Sequence, residues 1–483
     1  MAAIITEKFR THNAKQFKED FSSAETSSST YIFIGRSFAW PNDAVPTDPT
    51  NSVGEELDAW SDMIALKKVP TGDVTHGLVR YNWTANTTYD EYQHDVGSVG
   101  NNSTATSASN VYDSRFYVMT EDYNVYKCIR TGRSSGGAVV ASTVAPSGTS
   151  STAIIETADT GAGTGRGYKW KYMYSLSAAQ QANFLSTDFM AVATNSTVSS
   201  AAVDGAINVC KIKSAGSGGS DVTHTNIDIR GDGSGGKVSV TVASGAVTDV
   251  TVTTPGTGYT FGTISNAQIV AAGATSLSGA EVDVIIEPKG GHGFNAVEEL
   301  GGFYVMMNKS LVGIEGTSDI GVANDFRRIG LVRDPYNFGT TTVASASTRR
   351  QLYATVFSSV SGTFTADEEI NQATTGAVGK VVEYDSTNKI LYYYQTRFPD
   401  VGTDTNGNLT AFSGANAITG QSSSAAATPN TSNSTTTNGV VFVSGYSNPE
   451  LAFDSGDIIY VEERSPITRA SDQTENIKLI VEF

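Results

Sequence analysis

Apolar residues along this chain fall mostly in short runs or in strict alternation with polar ones, and helical spacing is confined to a few stretches. The first is residues 1–30. Phe9, Phe17 and Phe21 recur at near-helical intervals with Lys15, Lys18, Glu19 and Asp20 between them, which predicts a helical arm able to dock on its own body or on a partner. Tyr31-Ile-Phe-Ile34 then reads as a buried strand ending at Gly35, and Pro41, Pro46 and Pro49 make the following stretch an ordered loop. Ser52-Val-Gly-Glu55 has the form of a capping box. The helix it opens should carry Leu57, Trp60, Ile64 and Leu66 on its apolar side and end at Pro70. Strands are predicted at Gly77–Trp83, Phe116–Met119 and Val125–Ile129, with the uncharged, Ser/Thr/Asn-rich residues 96–111 as a solvent loop. A second capping box, Ser177-Ala-Ala-Gln180, opens a short helix through Leu185.

Beyond residue 196 the pattern changes. Val238-Ser-Val-Thr-Val242 and Val247-Thr-Asp-Val-Thr-Val252 alternate strictly across Ala243-Ser-Gly-Ala246, a strong hairpin signal within an inserted β module over 196–287. Residues 355–396 form a second small module. In it Gly376–Tyr384 and Ile390–Gln395 flank the turn Asp385-Ser-Thr-Asn388. Residues 405–449 hold no charged side chain and read mostly as loop, with a strand at Val440-Val-Phe-Val443. Asp457–Val461 and Ile477–Phe483 are further strands, the last tying the C-terminal residues into a sheet. All four tryptophans (Trp40, Trp60, Trp83, Trp170) lie in the first 170 residues, so the densest core belongs there. The fold class is therefore mainly β: a layered β-sandwich body with a few short helices in loops and two inserted small β modules. The segments are an arm (1–30), the body (31–195, 288–354 and 397–483) and the inserts (196–287 and 355–396). No fixed-period repeat appears, which speaks against a solenoid or propeller.

The chain has 483 residues, enough for about three domain-sized units. Its formal charge of −17 argues against a general nucleic-acid partner, which requires a basic surface. No polybasic stretch suits an anionic membrane surface, no run of 18 apolar residues exists, and the first residues lack the apolar core of a signal peptide. Synthesis and folding in a cytoplasm are expected, with no nucleic acid and no membrane as partner. Cys128 and Cys210 are then two reduced, buried thiols rather than a disulfide.

Candidate chemistry is sparse. Gly231-Asp-Gly-Ser-Gly-Gly236 fits a dinucleotide fingerprint in spelling only, because a strand and not a helix follows it. Gly161–Gly167 likewise leads into a strand-like stretch, so both are turns. Arg230-Gly231-Asp232 is explained by the same glycine turn. Asp404-Thr-Asn406-Gly-Asn408 lacks the glycine and glutamate of a calcium loop and reads as an Asx turn. The five histidines and two cysteines show no metal-ligand spacing, and His292, between two glycines, suits a structural role. Asp367, Glu368 and Glu369 are acids whose spacing alone does not make a glycosidase pair. No catalytic, cofactor-binding or metal site is expected, and no enzyme activity.

Several blocks taken together resemble one family. They are Tyr31-Ile-Phe-Ile-Gly-Arg36 with Trp40; Asp62–Val69 with Arg80-Tyr-Asn-Trp83; Tyr117-Val-Met119, Val125–Cys128 and Gly167–Tyr174; and Gly290-Gly-His-Gly293, Asn324–Gly330 and Gln473-Thr-Glu475 with the last strand. The chain resembles the baseplate wedge subunit of T4-like contractile-tailed phages, in its cyanobacterial myovirus form, over residues 28–195, 288–350 and 397–483. The resemblance implies a homodimeric β-sandwich structural protein of the virion tail, assembled in the host cytoplasm. It would bridge inner wedge proteins to peripheral fibre-carrying proteins and transmit baseplate rearrangement. Aromatic and arginine side chains are the usual interface anchors, which singles out Trp40, Tyr89, Tyr92, Arg327 and Arg328. The alternative is a tail fibre, spike or adhesin that binds host glycans, for which the Ser/Thr/Asn tracts and Arg230-Gly231-Asp232 speak.

Overall fold

The structure, a computed structural model, describes residues 4–21, 28–98, 104–312, 324–395, 402–468 and 474–483. The described chain is mainly β with a few short helices, and it divides into two compact units. Unit 1 takes residues 1–16, 75–306 and 480–483, and unit 2 takes 17–74 and 307–479.

In unit 1 an antiparallel four-stranded sheet runs in the order Tyr117–Met119, Asn124–Arg130, Lys169–Ser175, Ile154–Glu156. Its two faces feed two clusters. One gathers Phe116, Met173, Tyr174 and Met190, and the other gathers Tyr89, Tyr126, Tyr168 and Trp170, with Tyr168 stacked on Trp170 at 5.6 Å. The tryptophans do not share one core: Trp170 is in the latter cluster with Trp83 packed against it, while Trp60 belongs to a cluster of unit 2. The helix opened by Ser177 runs Ala178–Phe184 with the complete reciprocal capping box, and Leu185 caps it.

The insert has a core of its own, built from Val238, Val240, Val242, Val247 and Val250. The expected hairpin pairs Lys237–Ala243 with Ala246–Thr254, with Val238 opposite Val252 and Val242 opposite Val247. Its two-residue turn, Ser244-Gly245, has φ of 54° and 76°, the left-handed pair that matches strand twist. Asp221 accepts from both turn amides, at 2.9 and 2.7 Å.

In unit 2 a five-stranded antiparallel sheet has the order Thr348–Arg350, Met63–Lys68, Thr30–Gly35, Phe326–Arg333, Asp457–Ile467. The second module is a closed barrel. Six strands, Tyr353–Ser361, Ile390–Tyr394, Ala377–Asp385, Glu369–Gln372, Ile418–Gly420 and Ala426–Pro429, pair in a ring, and Tyr446–Ser447 adds to its outside. Closure removes the free edges an open sheet of this size would expose. The barrel joins strands within 355–396 to strands from the uncharged tract.

Several expectations are corrected. The helix after Ser52 is Val53–Ser61 and does not reach Pro70; Ile64 and Leu66 lie in the strand Met63–Lys68, where pairing with Thr30–Gly35 captures the apolar run. Leu57 is 47% exposed, so it is not part of a buried stripe. The box at Ser52 is half-formed: Ser52 accepts from the Glu55 amide, but Glu55 turns its carboxylate to Arg328. The arm is helical over Glu7–Asp20, but Phe9 is 54% exposed, while Thr11 and Ala14 are buried. There Arg10 lies 3.6 Å above the Phe303 ring and donates to the Phe483 carbonyl. The strand placed at Gly77–Trp83 is Val74–Val79. The tract 405–449 supplies barrel strands, and the expected strand at 440–443 is broken into the short strand Val440–Val441 and an isolated bridge from Val443 to Tyr446. Residues 99–103 of the expected loop and Gln473 lie outside the described residues.

Candidate functional site

The chain leaves its first strand of unit 2 through Gly35, where a Cβ would sit 2.8 Å from the Asp62 carbonyl. Only glycine permits that approach. Arg36 follows with φ of 56°, and its amide donates to the Asp62 carbonyl at 3.0 Å. This turn throws the proline loop outward and lays the Arg36 guanidinium 3.6 Å over the Trp40 ring. Trp40 Nε1 donates to the Arg464 carbonyl at 3.1 Å. Arg327 fixes the loop from below. Its guanidinium makes a two-pronged contact with Asp43 at 2.9 and 2.8 Å and donates to the Ser37 carbonyl at 2.8 Å. Asp43 also accepts from the Trp40 amide at 2.7 Å, so one carboxylate ties Arg327 to the tryptophan. Arg327 holds that carboxyl down at about 2.

The next residue, Arg328, points to the other face of the strand and is 1% exposed. Three carboxylates converge on it: Glu55 at 2.8 Å, Asp62 at 3.0 Å and Glu463 at 2.5 Å. They come from the helix, its C-cap and the neighbouring strand, so the cluster locks three elements of unit 2. Burial pushes Asp62 up to about 7, against the pull of Arg328 and Arg36, and burial also raises Glu463. A cleft of about 400 Å³ opens above this cluster, walled by Trp40, Pro41, Arg36 and the helix residues Glu55 and Asp58.

A second buried polar cluster lies in unit 1, at Gly290-Gly-His-Gly293. Gly290, Gly291 and Gly293 all have φ near 90°, which side chains rarely tolerate. The Lys127 ammonium, fully buried, pairs with Glu299 at 2.9 Å and sits 4.1 Å over the Tyr92 ring. Glu299 also accepts from the Gly293 and Asn295 amides. Burial alone would raise this carboxyl, but Lys127 and His292 outweigh it and hold it at about 2. His292 stands edge-on to Tyr92 at 5.2 Å, and its amide donates to Glu287.

Of the five residues singled out by sequence, three therefore meet in unit 2: Trp40, Arg327 and Arg328. Tyr89 and Tyr92 are in unit 1 and are buried, Tyr89 with its ring against Trp170 at 5.7 Å. Trp40 alone of the five is partly exposed; the other four are buried. Sequence reading missed the carboxylates Glu55, Asp62 and Glu463, as well as the Lys127–Glu299 pair. Spacing gives no hint that residues 55, 62, 328 and 463 converge. Lys127 alone carried a signal, as a charge inside the apolar strand Val125–Ile129.

Residues 3–204 match the family model described as Bacteriophage T4, Gp8. No curated protein matches the chain. Gp8 is a phage baseplate component. The matched stretch takes in the arm, the proline loop with Trp40, the helix bearing Glu55, and the four-stranded sheet of unit 1. It ends close to the start of the insert. Arg327, Arg328, Glu463 and His292 lie beyond it.

The remaining motifs are held by local structure. Asp232 accepts from the Thr260 hydroxyl and from the Thr260 and Phe261 amides, so the acid of Arg230-Gly231-Asp232 is committed internally. Asp404 accepts from the Asn406 and Asn408 amides, an Asx turn. Glu368 accepts from the Thr365, Ser422 and Ser423 amides and so pins barrel loops, while Asp367 faces Asn324. Cys128 and Cys210 are free and buried, and burial pushes Cys210 up to about 12. Among the described residues no group of three or more His, Cys, Asp or Glu is placed to hold a metal ion, and no helix is long and apolar enough to cross a membrane.

Proposed function

We propose that this chain is a structural subunit of a phage tail baseplate wedge, not an enzyme. In the virion it would act as a homodimer that bridges inner wedge proteins to peripheral proteins carrying fibres, and would pass on baseplate rearrangement. The observation that carries the reading is the match of residues 3–204 to the Gp8 family. The chemistry of the chain is in keeping with it. Its buried charges are spent on locking elements together, as at Arg328 and Lys127, and its signature glycines serve tight backbone approaches. In this reading Trp40 is the interface anchor. Arg327 and Arg328 support it from beneath, and Tyr89 and Tyr92 brace the core of unit 1. The net charge of −17 keeps free subunits apart until complementary surfaces meet.

Light scattering on the purified chain tests the oligomeric part. The expected mass is about twice the 50.8 kDa of one chain. A trimer would contradict the wedge reading and favour a fibre or spike that binds glycans.

A further inference from the structure

The cleft beside Trp40 contains two polar atoms with nothing to bond. Among the described residues, Glu463 Oε2 and Arg36 Nε are buried and have no hydrogen-bond partner. The Glu463 side chain is 1% exposed, its other oxygen is taken by Arg328, and it lines the floor of the cleft. The Arg36 side chain is 14% exposed and lines the wall. Buried polar atoms are almost always paired, and an unmade bond is costly. The cleft thus offers one desolvated acceptor at its floor and one desolvated donor at its side. Its charge is lopsided. Asp48 and Asp58 stand exposed at the mouth, and with Glu55, Asp62 and Glu463 they make five carboxyls against the two guanidiniums of Arg36 and Arg328. Both guanidiniums are already engaged, Arg328 by three carboxylates and Arg36 by the Trp40 face. An anion entering here would meet the carboxyls; a cation would meet what the cleft lacks.

We propose that this cleft receives the basic side chain of a partner polypeptide. The incoming guanidinium or ammonium group donates to Glu463 Oε2, Asp48 and Asp58 attract it at the mouth, and Arg36 Nε donates to a backbone carbonyl of the same partner. The volume, about 400 Å³, has room for one extended side chain. The Arg327–Asp43 contact keeps the wall in place before the partner arrives, so little ordering is left to bind. The inference deepens the wedge reading and rests on it for the source of the side chain, but the chemistry of the pocket stands apart.

The test titrates the full chain with Nα-acetyl-arginine amide while following tryptophan fluorescence, with Nα-acetyl-citrulline amide as a neutral control of the same shape. A saturable change is expected with the arginine probe and none with citrulline, and Trp40→Phe should abolish the signal. Glu463→Gln should weaken binding by roughly tenfold, the scale of one lost charge-assisted hydrogen bond. Asp58→Asn, at an exposed position that leaves the fold intact, should weaken it by roughly threefold through lost surface attraction. No saturable response, an equal response to citrulline, or indifference to both carboxyl variants would overturn the proposal. The probe is a free amino-acid derivative, so a wrong wedge assignment leaves this result standing, and failure here leaves the assignment to its own test.

Discussion

Replacing Arg328 with methionine is the sharpest perturbation of unit 2. The guanidinium is 1% exposed and bonds Glu463, Asp62 and Glu55 at 2.5 to 3.0 Å, while Arg36 reaches only Asp62, at 3.9 Å. Methionine fills much of the space but leaves the carboxyls facing one another. Removing one member of a buried ion pair costs about 3–5 kcal/mol, which at about 1.4 kcal/mol per decade is roughly two to three and a half decades in local opening. The loss should depend on pH. Asp62, raised from 3.8 to about 7 by burial, already carries its proton below neutrality, and Glu463 is raised as well. At pH 5 the cluster holds fewer charges to strand, so the penalty should fall to about 1–3 kcal/mol. Amide hydrogen exchange of Phe326–Arg333 and Asp457–Ile467, corrected for intrinsic rates, reads both numbers. Protection that drops less than tenfold at pH 8, or drops equally at pH 5 and pH 8, would refute this account of the cluster.

Other outcomes follow from the same reasoning. A raised carboxyl contributes stability that is complete below its unfolded value and is lost as pH rises through about 7, so Asp62→Asn should remove a fall in unit 2 protection between pH 4 and 7 worth on the order of 4 kcal/mol. Glu299 has the opposite sign: held at about 2, it stabilises above 4.5 and loses that contribution as pH falls; Lys127→Met leaves Glu299 to the raising effect of burial, so unit 1, followed by near-ultraviolet circular dichroism in denaturant, should be less stable at pH 7 and should regain part of that loss as pH falls. Gly167→Ala places a Cβ 1.6 Å from the Thr157 carbonyl oxygen and should cost ~3 kcal/mol or more in denaturant unfolding, while Gly72→Ala, with open space around it, should cost a small fraction of that. Both thiols should ignore an aromatic disulfide reagent in native buffer and react only on unfolding.

What the sequence revealed depended on how local the signal was. The 238–252 hairpin was legible because alternating valines and a Ser-Gly turn specify pairing within 15 residues. The Ser177 helix was legible because its box closes on itself. The Ser52 helix was misread because a helical and an extended apolar run abut at Asp62, and the choice between them is made by a strand 30 residues away. The barrel strands Ile418–Gly420 and Ala426–Pro429 escaped because alanine, serine and threonine carry little alternation; closure of the ring, not local pattern, puts Ile418 and Ala427 inside. At the candidate site, the aromatic and arginine residues could be picked by type. Their burial could not, since a side chain that anchors an interface and one that anchors a core look alike in sequence. The carboxylates around Arg328 come from three separate segments and meet only in the fold.

The proposed function stands on one claim, that this chain is a building block of the tail baseplate. Gold labelling of the tagged chain in T4-like phage particles assembled in its presence, viewed by electron microscopy, tests it most directly. Label grouped around the tail hub at the baseplate is the predicted result. Label at the tips of fibres, or particles that carry none in the tail, would contradict it.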